Sequence, residues 1–156
     1  MRPRAVGILL NDHHEVLLIL RRKAGREYAT LPGGGIEGGE TPAQACAREF
    51  LEEVNLIVEV GPPVFRLQAR GDDDHYFQVS YRSGEMRLGD GPDAPPHSED
   101  NHYDPQWVSV DRLEDVNFVP SELRDVVRGL ARANPLPHTL SASGSSESPR
   151  RGTTES

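Results

Sequence analysis

The chain has 156 residues, with 17 Lys and Arg against 25 Asp and Glu and a formal net charge of −8. That length suits one domain around one core, and 35% hydrophobic residues with 15 glycines besides are enough to pack it. The negative balance excludes broad binding to long nucleic acid, no apolar run nears the roughly 18 residues of a membrane span, and a single Cys46 excludes an internal disulfide framework. Met1 to Arg4 carries two positive charges, but the apolar run that follows (5–10) is too short for a signal-peptide core. A cytoplasmic protein without a membrane partner is the expectation.

In chain order, residues 3–10 and 15–22 are apolar runs separated by Asn11-Asp12-His13-His14, which predicts a hairpin. Leu31-Pro32-Gly33-Gly34-Gly35 reads as backbone too free for helix or strand. A helix is predicted from Pro42 to Val54. Thr41 serves as its cap, Gln44 completes a capping box and Pro42 fits the first helical position. Strands follow at 57–60, 63–70 and 75–82, with weaker ones near 85–88 and 106–110. The triplet Asp72-Asp73-Asp74 reads as a turn and 89–104 as a polar loop. Short helical segments are expected at 111–115 and 121–133. From 134 onward Ser, Pro, Thr and Gly dominate without a periodic apolar face, so residues 1–133 form the expected domain and 134–156 a flexible tail. Strands interleaved with one central and one terminal helix predict an α/β sandwich with a mixed β-sheet.

The central helix carries the chemistry. At about 100° per residue, Ala43, Ala47, Phe50, Leu51 and Val54 share one arc and are expected to face the core. Glu49, Glu52 and Glu53 share another, and Cys46 between them packs as a small apolar residue. Two carboxylates 6 Å apart repel by roughly 0.7 kcal/mol in bulk water and about 3 kcal/mol at an effective dielectric near 20. Arg48 offsets part of this through Glu52, four residues on. Upstream, Gly34-Gly35-Ile36-Glu37-Gly38-Gly39-Glu40 lets backbone approach closely and places a carboxylate at the helix entrance. Glycine loop, entrance carboxylate and three-carboxylate face together make a hard-oxygen site suited to Mg²⁺, with Mn²⁺ as substitute.

Gly34, five residues, Glu40, seven residues and then Arg48-Glu49-Phe50-Leu51-Glu52-Glu53-Val54-Asn55-Leu56 closely resembles the Nudix box, G-x5-E-x7-R-E-U-x-E-E-x-G-U. Eight of its nine specified positions match over 23 residues without an insertion. Leu31-Pro32-Gly33 and Trp107-Val108-Ser109-Val110 also resemble Nudix surroundings, and the likeness spans roughly residues 1–133. Asn55 replaces the family's glycine. It follows the helix where a left-handed backbone is expected, and Asn is the non-glycine residue best suited to that conformation.

The resemblance implies a Nudix-type α/β/α sandwich with a loop–helix–loop catalytic motif. It implies a pyrophosphohydrolase of nucleoside diphosphates linked to another group: a nucleoside triphosphate, a dinucleoside polyphosphate, ADP-ribose or a nucleotide sugar. Carried over by position, Glu49, Glu52 and Glu53 are metal ligands, Glu40 assists in or near the metal shell, and Arg48 orients the carboxylates. Glu49 and Glu99 are alternative general bases, with Asp100 competing with Glu99. For the substrate, Gly34 and Gly35 offer backbone, Arg22 (with Arg21 and Arg26 beside it) a phosphate contact, and Tyr28 or Tyr76 a stacking ring. His97 and His102 lack a specific ligand spacing. The expected partner is a small nucleotide, and a homodimer is compatible with the resemblance. The other class of reading is a non-catalytic nucleotide-binding regulatory module on the same fold.

Overall fold

A computed structural model describes residues 1–87 and 101–133. Among them the order is β1 (Arg2–Leu9), β2 (Glu15–Lys23), β3 (Arg26–Thr30), β4 (Gly33–Gly35), α1 (Pro42–Val54), β5 (Ile57–Ala69), β6 (Asp72–Ser83), β7 (Asn101–Ser109), a 3₁₀ turn at Val110–Arg112, and α2 (Glu122–Ala133). The segment expected as a tail, and Glu99 with His97 and Asp100, lie outside the described residues.

The strands form a mixed four-stranded sheet, β4-β1-β6-β5, and an antiparallel three-stranded sheet, β3-β2-β7. In the first, β1 runs parallel to β6 and antiparallel to β4. The expected hairpin forms only at its tip. Asn11 Oδ1 accepts from the His13 and Glu15 amides, and a single bridge joins Leu10 to Val16. Beyond it β1 and β2 part into different sheets, because β1 pairs with β6 over eight registered residues and β2 with β7 over nine.

Alternation along β1 and β2 places the helices on opposite faces. Ala5, Leu9, Leu17 and Ile19 pack in one buried cluster with Ala45, Phe50 and Val54 of α1. Val6, Ile8, Val16 and Leu18 pack in the other with Leu123, Val127 and Ala131 of α2. The result is the expected α/β/α layering.

The structure corrects several expected elements. Gly33–Gly35 is not free backbone but a short strand against β1. The two strands expected at 57–60 and 63–70 are one, Ile57–Ala69, with register shifts between Val60, Pro63 and Phe65. Asp72–Asp74 opens β6 instead of forming the turn, which sits at Arg70-Gly71 with φ 56° and 83°. No strand covers 84–87, and β7 begins at Asn101, within the expected loop. In place of the helical segment expected at 111–115 there is a 3₁₀ turn at Val110–Arg112, followed by turn residues.

α1 begins as expected, with both capping-box bonds present: the Gln44 amide donates to Thr41 Oγ1 at 3.1 Å and the Thr41 amide to Gln44 Oε1 at 2.9 Å. It ends at Asn55 in the left-handed region, φ 63° and ψ 32°, whose amide returns to Leu51 and Phe50 carbonyls. Asn55 Nδ2 also donates to the Glu85 carbonyl at 2.9 Å. The core-facing arc, however, is turned from the expected one. Leu51 is 48% exposed, and the buried positions are Ala45, Cys46, Glu49, Phe50 and Val54. Gly7 lets this face seat closely, since a Cβ there would come within 2.3 Å of Phe50 Cε1. Cys46 is fully buried beside it, its thiol pushed up to about 12 by burial and by the nearby charge of Glu49.

Candidate active site

The rotation of α1 takes Glu49 inward, to 4% exposure, beneath the β4 backbone. A Cβ on Gly34 would lie 2.5 Å from Glu49 Oε2, and one on Gly33 would lie 2.5 Å from the Ala5 carbonyl oxygen. Glycine is required here by close approach from both sides. Glu53, one turn further on, accepts the Gly33 amide at Oε1 (2.9 Å) and faces Arg21 across 3.7 Å at Oε2. The carboxyl of Glu53 is pushed up to about 7, chiefly by burial, against the opposing pull of the Gly33 amide and Arg21.

Arg48 gathers the remaining acids. Its Nε donates to Glu40 Oε2 at 2.6 Å, its Nη1 to Glu49 Oε2 and Glu52 Oε1 at 3.0 Å each, and its Nη2 to Glu40 Oε1 and the Gly35 carbonyl. Glu40 is positioned for this by the Glu37 amide, which donates to its Oε1 at 2.9 Å. The carboxyl of Glu40 is held below its ordinary value by Arg48 first and that amide second, and Arg48 is raised in turn.

One guanidinium thus braces three carboxylates and the glycine strand, while Glu53 stands apart on Gly33 and Arg21. Accordingly, among the described residues no three His, Cys, Asp or Glu side chains converge as a ready-made metal set. The donors nevertheless fit a hard divalent ion. They are all oxygens, Glu49 is buried, and burial outweighs the partners of Glu53, leaving its negative charge short of compensation.

Next to this cluster lies a cavity of about 660 Å³, lined in part by Arg4, Arg21, Tyr28, Asp74, Tyr76 and Asn117. Arg21 connects the two regions. It faces Glu53, donates from Nε to Thr30 Oγ1 at 2.7 Å, and lies 4.3 Å over the Tyr103 ring. Arg4 also adds to the field at Glu53. On the cavity wall Arg4 Nη1 donates to both oxygens of the largely buried Asp74, and Tyr76 donates its hydroxyl to Asp74 Oδ2 at 3.2 Å. A second cavity of about 300 Å³ is lined by Arg22 and Glu27 among others, and Arg21 and Tyr28 border both.

The structure therefore brings Glu40, Arg48, Glu49 and Glu52 into direct contact, sets Gly34 and Gly35 against them, and places Glu53 alongside. Tyr28 and Tyr76 line the larger cavity, and Arg22 lines only the smaller of the two. Sequence reasoning missed Arg4 and Asp74. They meet through β1–β6 pairing across 70 residues of chain, and no local pattern signals such a pair.

The NUDIX domain profile matches residues 1–129. The chain belongs to the NUDIX family. This NUDIX chain is 49% identical over 55 residues to the 8-oxo-dGTP diphosphatase of Escherichia coli K12, covering 33% of this chain and 42% of the relative. It is 29% identical over 124 residues to a putative 8-oxo-dGTP diphosphatase of Bacillus subtilis 168, covering 78% and 75% respectively. The chain thus spans about two fifths of the first relative and three quarters of the second. The solution structure of the E. coli ORF135 protein matches at a TM-score of 0.63 and 21% identity, covering 86% of this chain and 94% of that one. No described helix is long and apolar enough to cross a membrane.

Proposed function

We propose that this NUDIX chain is a Mg²⁺-dependent pyrophosphohydrolase that cleaves a phosphoanhydride bond in a nucleoside diphosphate linked to another group. The observation that carries the reading is the pairing of buried Glu49 and under-compensated Glu53 beneath a strand whose Gly33 and Gly34 leave no room for a Cβ. Taking carboxylates out of water costs several kcal/mol per ion, and at Glu53 the Gly33 amide and Arg21 do not make that cost good.

In this reading Glu49, Glu52 and Glu53 hold the ion, and Glu40 completes its surroundings through Arg48. Mg²⁺, or Mn²⁺ in its place, supplies a Lewis acid that offsets phosphoryl charge and lowers the pKa of the attacking water. Arg48 keeps the carboxylates of Glu40, Glu49 and Glu52 oriented through its hydrogen bonds, and is a positioning residue. Arg21 stands at the junction, where its guanidinium reaches a phosphate from the cavity side. Tyr28, on the cavity wall, offers a ring for the base. The chain's relation to the 8-oxo-dGTP diphosphatases supports a nucleotide substrate.

The test is a panel of nucleoside triphosphates, dinucleoside polyphosphates, ADP-ribose and nucleotide sugars, incubated with Mg²⁺ or Mn²⁺ and analysed for products. Metal-dependent release of a nucleotide from at least one class is expected. Tight nucleotide binding with no turnover anywhere would make a regulatory binding module the better reading.

A further inference from the structure

Two cations in the larger cavity are unused by the chemistry above. Five arginines line it, and three face a carboxylate: Arg4 meets Asp74 at 3.1 Å, Arg21 meets Glu53 at 3.7 Å, and Arg70 meets Glu122 at 3.2 Å. The other two, Arg26 and Arg124, have no carboxylate within ion-pair distance among the described residues. Glu114, whose carboxyl feels Arg124, is held by Arg128. Asp72, the remaining acid of the lining, stands near Arg70 at the β5–β6 turn and pairs with neither.

Arg124 is held by a hydrogen bond, and the exposed Arg26 by a ring contact. Arg124, half-buried on α2, donates from Nε to the Phe118 carbonyl at 3.0 Å. Arg26, on β3, lies 4.9 Å over the Tyr28 ring. β3 is tied to that same 117–119 backbone. The Ala29 amide donates to the Asn117 carbonyl at 3.2 Å, the Val119 amide to the Ala29 carbonyl at 2.9 Å, and Asn117 Nδ2 to the Glu27 carbonyl at 3.2 Å. The two arginines therefore line one cavity from segments joined by backbone hydrogen bonds. With Nε of Arg124 spent on Phe118, the nitrogens left over form the fork that matches phosphate oxygens. A phosphate would meet both positive charges, whereas a neutral base or ribose would leave them to solvent.

We infer that the substrate bears a second phosphoryl group, separate from the scissile anhydride, and that Arg26 and Arg124 bind it in this cavity. The inference rests on the hydrolase reading. The shared chemistry is a phosphate ester on the nucleoside, either a monoester or a diester leading to a further nucleotide.

The experiment compares kcat/KM, with Mg²⁺, for three substrates. They are a nucleoside 5′-triphosphate, the same nucleotide carrying a 3′-phosphate, and a 5′-triphosphorylated dinucleotide. At least about a tenfold advantage for one phosphate-bearing substrate is expected, as charged hydrogen bonds of this kind give, and the favoured substrate names the ester. In Arg124→Gln and in Arg26→Gln that ratio should fall toward one. Because Arg124 also braces Phe118, the exposed Arg26 keeps the test decisive if the first variant unfolds. Equal turnover of all three substrates, or a ratio preserved in both variants, overturns the inference and leaves the hydrolase standing. Turnover of none of these, nor of the wider panel, overturns the hydrolase reading and the inference with it.

Discussion

Glu53 is the residue at which stability and proposed function pull in opposite directions. Its carboxyl ionises near the ordinary 4.5 in the unfolded chain and at about 7 when folded. Between those values the folded state binds the extra proton, so without metal its stability falls as pH rises from about 4.5 to about 7, then levels off. Glu53→Gln keeps an acceptor for the Gly33 amide and removes the charge. In EDTA it should be more stable than wild type at pH 8, by on the order of 1–3 kcal/mol, and similar at pH 4.5. Urea denaturation at the two pH values measures this, and a variant less stable at pH 8 would contradict the assignment. Saturating Mg²⁺ should stabilise the wild type and not the variant. Gly34→Ala tests the close approach above Glu49. The added methyl must displace the carboxylate from Arg48, and turnover should drop at least about tenfold, equivalent to about 1.4 kcal/mol, with the circular dichroism spectrum unchanged.

At the scale of elements, legibility followed the range of the forces. Both ends of α1 were readable because Thr41, Pro42, Gln44 and Asn55 act through bonds within a few residues. Thr41→Ala should therefore cost about 1 kcal/mol, read as a lower denaturation midpoint with an unchanged m-value. The face of α1 was less readable. Hydrophobic spacing alone turns Leu51 inward, whereas the structure leaves it out and buries Glu49 beneath Gly34, where Arg48 bonds it. The Gly33–Gly35 strand was misread for a related reason. Glycines usually signal a bend, and here Gly33 and Gly34 mark where backbone and carboxylate leave no room for a Cβ. The β1–β2 hairpin failed because its short turn is local while the choice of sheet is made by distant partners.

For the molecule as a whole, the box and its helix announced the family, and the α/β/α layering followed from it. The surroundings of the site were hidden in topology: the Arg4–Asp74 pair, the Arg21 link and the cavity between β3 and α2 join residues far apart in sequence. Cys46 offers a practical consequence of that layering. Sealed between β1 and α1, with its thiol at about 12, it offers almost no thiolate to an attacking disulfide at neutral pH. Labelling by an aromatic disulfide should thus be silent in the folded state and proceed at the rate at which α1 lifts from the sheet. The protein carries its own stopwatch for that opening, and a ligand that clamps α1 should slow it.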